Sequence, residues 1–356
     1  MKPKYQALKE TLIEQIRAGA FAEEFPIPSE AELSAKYSVS RNTVRQAMKE
    51  LENEGYLYRA RGKGTFIRNV SSLSSRKIAL LLYDSRDLCH PVTMKMVSAL
   101  SETLEQSGFL LDILASHRTF QEENLARLAT NYAGFVLGTY RLDAMTVAEL
   151  DKLAIPHLFV KSYLPGRDDP AVRIDFAKAG ALAAQHLIEC GCRTLGLVYP
   201  GRHIPIAAEF YDGICSAALE NGVTLKREHV FETENYDGAK VEEAGLRIAE
   251  LDSRPDGIIA ASDDTAETLL EVFHRRGVRV PDDLMLTGCN DASELAKLTV
   301  PPLTTVHLPV QELGRRAGET ITGMIRGTTF KTIMLEPELI IDRKSTRLNS
   351  SHPSRS

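Results

Sequence analysis

Seven short apolar runs recur along the chain with helical patterns between them, at residues 78–83, 110–114, 134–138, 157–160, 195–199, 257–261 and 284–288. Strands separated by helices of that length join into parallel sheets through right-handed crossovers. Around 265 residues is generous for one such sheet, so two α/β lobes are expected. Ligands of open parallel sheets sit beyond the carboxyl ends of the strands. The segments just after each run are therefore where binding residues are sought.

With 43% hydrophobic and 26% charged residues, the 356-residue chain has the composition of two or three folded units, not of a disordered, collagenous or coiled-coil protein. No apolar run approaches the ~20 residues of a membrane helix, and residues 1–10 lack the apolar stretch of a secretory signal. A cytoplasmic protein without membrane contact is expected. Cys89, Cys190, Cys192, Cys215 and Cys289 are odd in number and scattered, which fits reduced thiols. Cys190 and Cys192 form a C-x-C, but no second pair or histidine cluster completes a zinc site. No metal or other cofactor is expected.

The net charge of −5 conceals a division. The first 70 residues hold 12 Lys and Arg against 9 Glu, a balance of +3; residues 71–341 hold 27 against 38, a balance of −11; the last 15 add +3. A basic head on an acidic body suits a protein that meets a polyanion at one end only.

In the head, Tyr5, Leu8, Leu12, Ile13 and Ile16 recur at helical spacing, which predicts an amphipathic helix ending near residue 18. Pro26 and Pro28 keep the next stretch extended. Ser29-Glu30-Ala31-Glu32 is a capping box opening a short helix to about Lys36. Tyr37-Ser38-Val39 forms the turn, and Ser40 caps a third helix to about Asn53 with Val44, Ala47, Met48 and Leu51 on its buried face. Such a helix-turn-helix sets the start of its second helix at base edges in the major groove. Arg41, Asn42, Thr43, Arg45 and Gln46 occupy that stretch. Arginine bonds guanine bidentately, Asn and Gln read adenine, and hydroxyls hold phosphate. Alone, these residues equally suit a solvated helix face. The segments 56–60 and 65–68 then read as strands joined by Arg61-Gly62-Lys63-Gly64, a glycine-rich hairpin whose cations can follow the minor groove.

The stretch PSEAELSAKYSVSRNTVRQAMKELENEGYLYRARGKGTF resembles the winged helix of the GntR family of bacterial transcription regulators over nearly its whole length. The resemblance implies that Ser40, Arg41, Thr43 and Arg45 face double-stranded DNA and that Gly62 lets the wing tip approach closely. Ala31 stands where the family often has an arginine, so operator preference does not carry over from relatives.

Three segments of the body, VRIDFAKAGALAAQHLIECGCRTLGLV, PDGIIAASDDTAETLLEVFHRRGVRVPDDLMLTGCNDASELA and PPLTTVHLPVQELGRRAGETI, resemble the effector domain of the LacI/GalR repressors, which is built like a periplasmic sugar-binding protein. From residue 78 to 173 the match is to the pattern of elements only. A GntR-type head on this body resembles the arabinose-responsive repressors. The resemblance implies a winged helix-turn-helix plus a two-lobed α/β body holding a sugar or sugar derivative between its lobes. By position, Ser262 and Asp263 replace the family's Asn-Asp, Asn290 replaces a sugar-binding Asp, and Tyr236 falls at an aromatic that stacks on sugar rings. Phe210 replaces a ligand-gripping Arg, and Lys161 lies near an acidic contact; both swaps weigh against a neutral sugar. Lys161 suits an anionic ligand such as a sugar acid or sugar phosphate, and equally a solvated rim. Asp84, Ser85 and His90 follow the first strand of the body, where cleft residues belong, although His90 before Pro91 is more typical of a turn. Asp175 is expected at the hinge.

These readings divide the chain into a winged helix at 1–68, a linker at 69–76, an effector-binding body at 77–341 and a non-native tail at 342–356. That tail, DRKSTRLNSSHPSRS, resembles a translated sequencing adapter, while the natural alternative is an Arg-x-Ser-Thr-like family ending. The expected protein is a repressor that binds a palindromic operator as a homodimer and responds to a small carbohydrate-like effector. The alternative, a solute-binding protein of a transport system, fits the body alone. An enzyme is not expected, because nucleophile-elbow, P-loop and metal-ligand motifs are missing and the family pattern explains Asp263-Asp264.

Overall fold

Apolar residues three and four apart give the head its core. Helix α1 (Lys4–Arg17) buries Leu8, Leu12 and Ile16 with Leu33 of α2 (Glu30–Tyr37) and with α3 (Arg41–Asn53). Val44, Ala47, Met48 and Leu51, the expected buried face of α3, are each at most 2% exposed. The capping box forms: Ser29 Oγ accepts from the Glu32 amide at 3.3 Å, and a Glu32 carboxylate oxygen accepts from the Ser29 amide at 2.7 Å. Strands β1 (Leu57–Ala60) and β2 (Gly64–Ile67) pair antiparallel, with Leu57 and Ile67 closing the core. The computed structural model describes residues 4–17, 26–53, 56–60, 64–67, 76–164, 166–234, 237–291, 299–341 and 345–346. Arg61, Gly62, Lys63, Tyr236 and most of the linker lie outside the described residues.

The chain forms two compact units, the first comprising Met1–Cys89, Val97–Val172 and Gly314–Thr332, and the second His90–Met96, Arg173–Leu313 and the chain from Ile333 onward. In the first sheet, β3 (Lys77–Leu82), β4 (Leu110–Ala115), β5 (Gly134–Leu137), β6 (His157–Val160) and β7 (Ala171–Ile174) run parallel in the order β4-β3-β5-β6-β7, with β13 (Ile333–Leu335) beyond β7. Helix α4 (Pro91–Gln106) follows β3. Helices α5 (Glu122–Ala129) and α6 (Ala144–Lys152) cover one face, where Leu125, Val147 and Leu150 pack on Leu81, Phe135 and Phe159. Residues 78–82, 134–137 and 157–160 are buried at every position, as strands covered on both faces must be.

The second sheet has the order β14-β12-β11-β10-β8-β9, from β8 (Thr194–Tyr199), β9 (Thr224–Glu232), β10 (Gly257–Ala260), β11 (Met285–Asn290), β12 (Thr304–His307) and β14 (Glu338–Ile340). All its pairings are parallel except β12 with β14. Its helices are α7 (Phe176–Glu189), α8 (Pro205–Glu220), α9 (Gly238–Glu250) and α10 (Asp263–Arg275), and α11 (Val310–Ile325) follows β12. Leu269 and Phe273 of α10 and Ile248 of α9 pack on Ile258 and Leu286. Helices α7 and α8 cross at backbone contact. A Cβ on Gly180 would stand 2.0 Å from the Phe210 carbonyl oxygen, and one on Gly213 would stand 1.8 Å from that of Ala177.

The seven predicted strands are all present, but the sheets hold five more. Strand β9 is an edge strand whose sequence TLKREHVFE is interrupted by Lys226, Arg227 and Glu228, and β12 is built from Thr-Thr-Val-His, so neither stands out as an apolar run. The body's end also needs correction, because packing extends past residue 341. Ser345 and Thr346 are at most 1% exposed. Ser345 Oγ accepts from the Thr304 amide at 2.7 Å, the Ser345 carbonyl accepts from the Leu286 amide at 3.1 Å, and Thr346 Oγ1 lies 2.9 Å from His186 Nε2. Two residues of the segment expected to be a non-native tail thus pack on the body, where their oxygens meet buried backbone and imidazole. Ser345→Ala with Thr346→Val is expected to destabilise the chain by about 1–3 kcal/mol through unpaired buried donors. Urea unfolding checks this, and an unchanged midpoint would contradict the assignment.

Candidate functional site

Helix α3 starts on a cap. Ser40 Oγ accepts from the Thr43 amide at 3.2 Å and lies 2.8 Å from Thr43 Oγ1, so both hydroxyls are tied at the helix start. Burying Val44, Ala47 and Met48 turns Arg41, Asn42, Arg45 and Gln46 to solvent, with Thr43 half-buried beside them. Arg45 is held from below: its Nε and Nη2 donate to one Glu30 oxygen at 3.2 and 3.1 Å. The other Glu30 oxygen lies 3.8 Å from Arg59 on the hairpin, and Arg59 also donates to Glu52. Sequence reasoning missed Arg59, which belongs to the exposed cationic face as a strand residue with outward alternation.

At the strand ends of the first unit, Asp84 is bound by Arg86 at 2.7 Å and approached by Arg141 at 3.7 Å, and the Arg86 contact holds its carboxyl below the usual range. Ser85 is exposed in the short helical turn after β3. Lys161 follows β6 with φ +69° and is half-buried. Arg141 was not foreseen. It follows β5, in the search space after a predicted strand, and stands 4.7 Å over the Tyr83 ring.

In the second unit, the Ser262 hydroxyl caps α10, accepting from the Thr265 amide at 3.1 Å. Asp263 is 4% exposed and binds with both oxygens, one accepting from Thr305 Oγ1 at 2.5 Å and the other from the Asp291 amide at 2.7 Å. Gly288 leaves its place open, since a Cβ there would stand 2.3 Å from Asp263 Oδ1. Burial pushes the Asp263 carboxyl up to about 7, assisted by Asp291 and Asp264 and opposed by the two hydrogen bonds. Asp263 therefore fastens the ends of β10 and β11 to β12. Asn290 ends β11 with φ +113° and is 9% exposed. Phe210 lies on the buried face of α8 at 2% exposure, so its ring is core packing and its expected place among effector contacts is corrected. His90 accepts from the Val92 amide at Nδ1 and from the Thr93 amide at its carbonyl, which makes it a helix-start residue, with Nε2 3.7 Å from Asp264. Asp175 caps α7 through the Lys178 amide at 2.8 Å. Unforeseen at the last residues of β8 and β9, Tyr199 donates to Glu232 at 2.8 Å and stacks on Tyr211, itself covered by Arg202 at 4.7 Å.

Among the described residues, one cluster has metal-ligand atoms grouped within 4.8 Å: Asp151, His157 and Asp169. Arg167 donates to both carboxylates at 2.7–2.8 Å, so a guanidinium already supplies the cation.

Residues 4–67 match the family of bacterial regulatory proteins named gntR, and residues 184–346 match the periplasmic binding protein-like domain. The chain is a GntR-type DNA-binding head on a periplasmic-binding-protein-like body. The chain is 28% identical over 97% of its length to an arabinose metabolism transcriptional repressor of Geobacillus stearothermophilus, covering 98% of that protein. It is 25% identical over 98% of its length to one from Halalkalibacterium halodurans, again covering 98%. The HTH-type transcriptional repressor CytR of Escherichia coli K12 is 26% identical over 86% of the chain and 88% of that protein. In fold, the GntR-type chain resembles a transcriptional regulator CelR–cellobiose complex, with TM-score 0.69, 22% identity, and coverage of 90% of the chain and all of that structure. A LacI family regulator of Enterococcus faecium with bound ribose gives 0.65 and 22%, covering 77% of the chain and all of that structure. Among the described residues no helix is long and apolar enough to cross a membrane.

For Asp263 the folded-state pKa of about 7 lies above the unfolded value of 3.8. Between these values only the folded state keeps the proton, so stability falls as pH rises, by at most about 1.4 kcal/mol per pH unit. Asp263→Asn can keep both partners, with its oxygen accepting from the Asp291 amide and its amide donating to Thr305. It is expected to remove this fall, measured by urea unfolding at pH 4.5, 5.5 and 6.5; an unchanged pH slope would contradict the burial argument.

Proposed function

We propose that the chain is a cytoplasmic transcription repressor that binds a palindromic operator as a homodimer and is controlled by a small carbohydrate-like effector. The observation that carries the DNA-binding half is the start of α3. Arg41, Asn42, Arg45 and Gln46 project from a helix whose opposite face is buried, on an element joined to a cationic hairpin. The relatives that match nearly end to end are repressors, which supports the sign of regulation. The strand-end residues Asp84, Ser85, Lys161 and Asn290 support a polar ligand, Ser262 and Asp263 being engaged within the protein, and the ribose- and cellobiose-bound relatives in fold support a carbohydrate. His90 and Asp263 position these loops. A homodimer is inferred because one winged helix buries too little surface for high specificity. The transport-associated alternative finds no support among the relatives, and we assign the chain no catalytic activity.

Control follows from differential affinity: an effector shifts operator binding only as far as it prefers one conformation, about 1.4 kcal/mol per tenfold preference. The DNA-binding half is tested with Arg45→Ala on a duplex selected from genomic fragments by the wild-type chain. A base-reading arginine is worth about 1–3 kcal/mol, so operator affinity is expected to fall roughly 5- to 150-fold. The melting temperature is expected to stay near wild type because Glu30 keeps Arg59. Retained sequence preference in a gel-shift titration would remove α3 from the interface. Operators with one half-site scrambled are expected to lose most of the affinity, and equal binding to half and whole sites would refute the dimer.

A further inference from the structure

The first unit gathers charge at the carboxyl ends of three adjacent strands. Asp84 follows β3, Arg141 follows β5 and Lys161 follows β6, and the sheet order sets these strands side by side. The row holds three cations, Arg86, Arg141 and Lys161, against two carboxylates, Asp84 and Asp87. Four of the five charges are engaged. Asp84 takes Arg86 and Arg141, and Asp87 accepts the amides of Tyr83 and Asp84 at 3.2 and 3.4 Å.

Lys161 is the exception. Among the described residues its ammonium makes no hydrogen bond and no ion pair within 4.0 Å, although the side chain is half-buried. The backbone keeps it there in a left-handed conformation, with the Lys161 amide donating to the Val172 carbonyl at 3.0 Å and Ser162 Oγ donating to the Thr139 carbonyl at 2.8 Å. An ammonium withdrawn from water with no carboxylate in contact is unfavourable, and it is rarely kept unless something else supplies the charge.

We propose that the effector is an anionic sugar derivative whose carboxylate or phosphate pairs with the Lys161 ammonium in this row, beside Arg141. The inference rests on the reading of the chain as an effector-controlled repressor. A neutral sugar would leave the excess cation of the row unmatched, whereas a single negative charge closes it. Burial lowers the Lys161 pKa and the Asp87 charge opposes this. The other titratable groups of these strand ends are Tyr83, Asp84 and Arg86 after β3, His117 after β4, Tyr140 and Arg141 after β5, and Tyr163 after β6. An arriving anion favours the protonated amine, so its binding weakens at high pH, where the amine gives up its proton.

The test uses the full chain with glucose, arabinose, glucuronate and glucose 6-phosphate, followed by titration calorimetry. At least one of the two anions is expected to bind tenfold or more tightly than either neutral sugar; which anion binds separates a carboxylate from a phosphate. Lys161→Met is expected to weaken that anion at least tenfold and to change any neutral-sugar binding less than threefold. Lys161→Arg is expected to restore the preference for the anion, and it replaces the Met variant should that one fail to fold. Tighter binding of a neutral sugar, or equal losses for both classes, overturns the inference and leaves the effector-controlled reading standing. Binding of none of the four overturns both the inference and the carbohydrate reading, while the operator titration with Arg45→Ala still judges the DNA-binding half.

Discussion

Strands joined through covering helices run parallel, because each helix carries the chain back to the same starting edge. Every strand of such a run then ends on one edge of its sheet. Apolar side chains fill the strands themselves, so the first residues free to be polar are those just beyond, and these are brought together by sheet order and not by closeness in sequence. Asp84, Arg141 and Lys161 meet at one edge of the first sheet for this reason. Ser262, Asp263 and Asn290 meet at an edge of the second, with Tyr199 and Glu232 closing the ends of β8 and β9.

Within the second sheet, Asp263 shows how such an edge is kept in order. A carboxylate almost out of water is costly unless every oxygen is paired, and here Thr305 and the Asp291 amide supply the pairs while Gly288 supplies the room. The residue that a family pattern would assign to ligand thus spends both oxygens on the protein. Ser262 is spent in the same way, its hydroxyl capping the helix that Asp263 begins.

Much of the head was legible from the chain alone. The capping box at Ser29, the Ser40 cap and the Val44-Ala47-Met48-Leu51 stripe are local patterns, decided within a turn or two of helix, and each forms. The seven apolar strands were legible for the same reason. The edge strand β9 and the inner strand β12 were not, because an edge open to solvent in one and a hydroxyl-rich sequence in the other remove the apolar signature. Phe210 was misplaced among ligand contacts because correspondence by position cannot tell which side of α8 faces the core. The end of the body was misplaced because Ser345 and Thr346 are polar residues whose burial depends on His186, Leu286 and Thr304, all distant in sequence.

By itself the sequence determined a winged-helix head with a polar, cationic row at the start of its second motif helix, and a body of parallel α/β sheets. Periodicity, capping residues and turn chemistry act over a few residues, and a single chain displays them directly. Only the tertiary structure decided which polar groups are already spent and which remain available. Glu30 beneath Arg45, Asp263 between Thr305 and Asp291, and Asp84 beside Arg141 are pairings across 15 to 57 residues of chain. Lys161 is singled out by the same long-range accounting. Whether an ammonium has a counter-charge depends on what the neighbouring strands bring beside it.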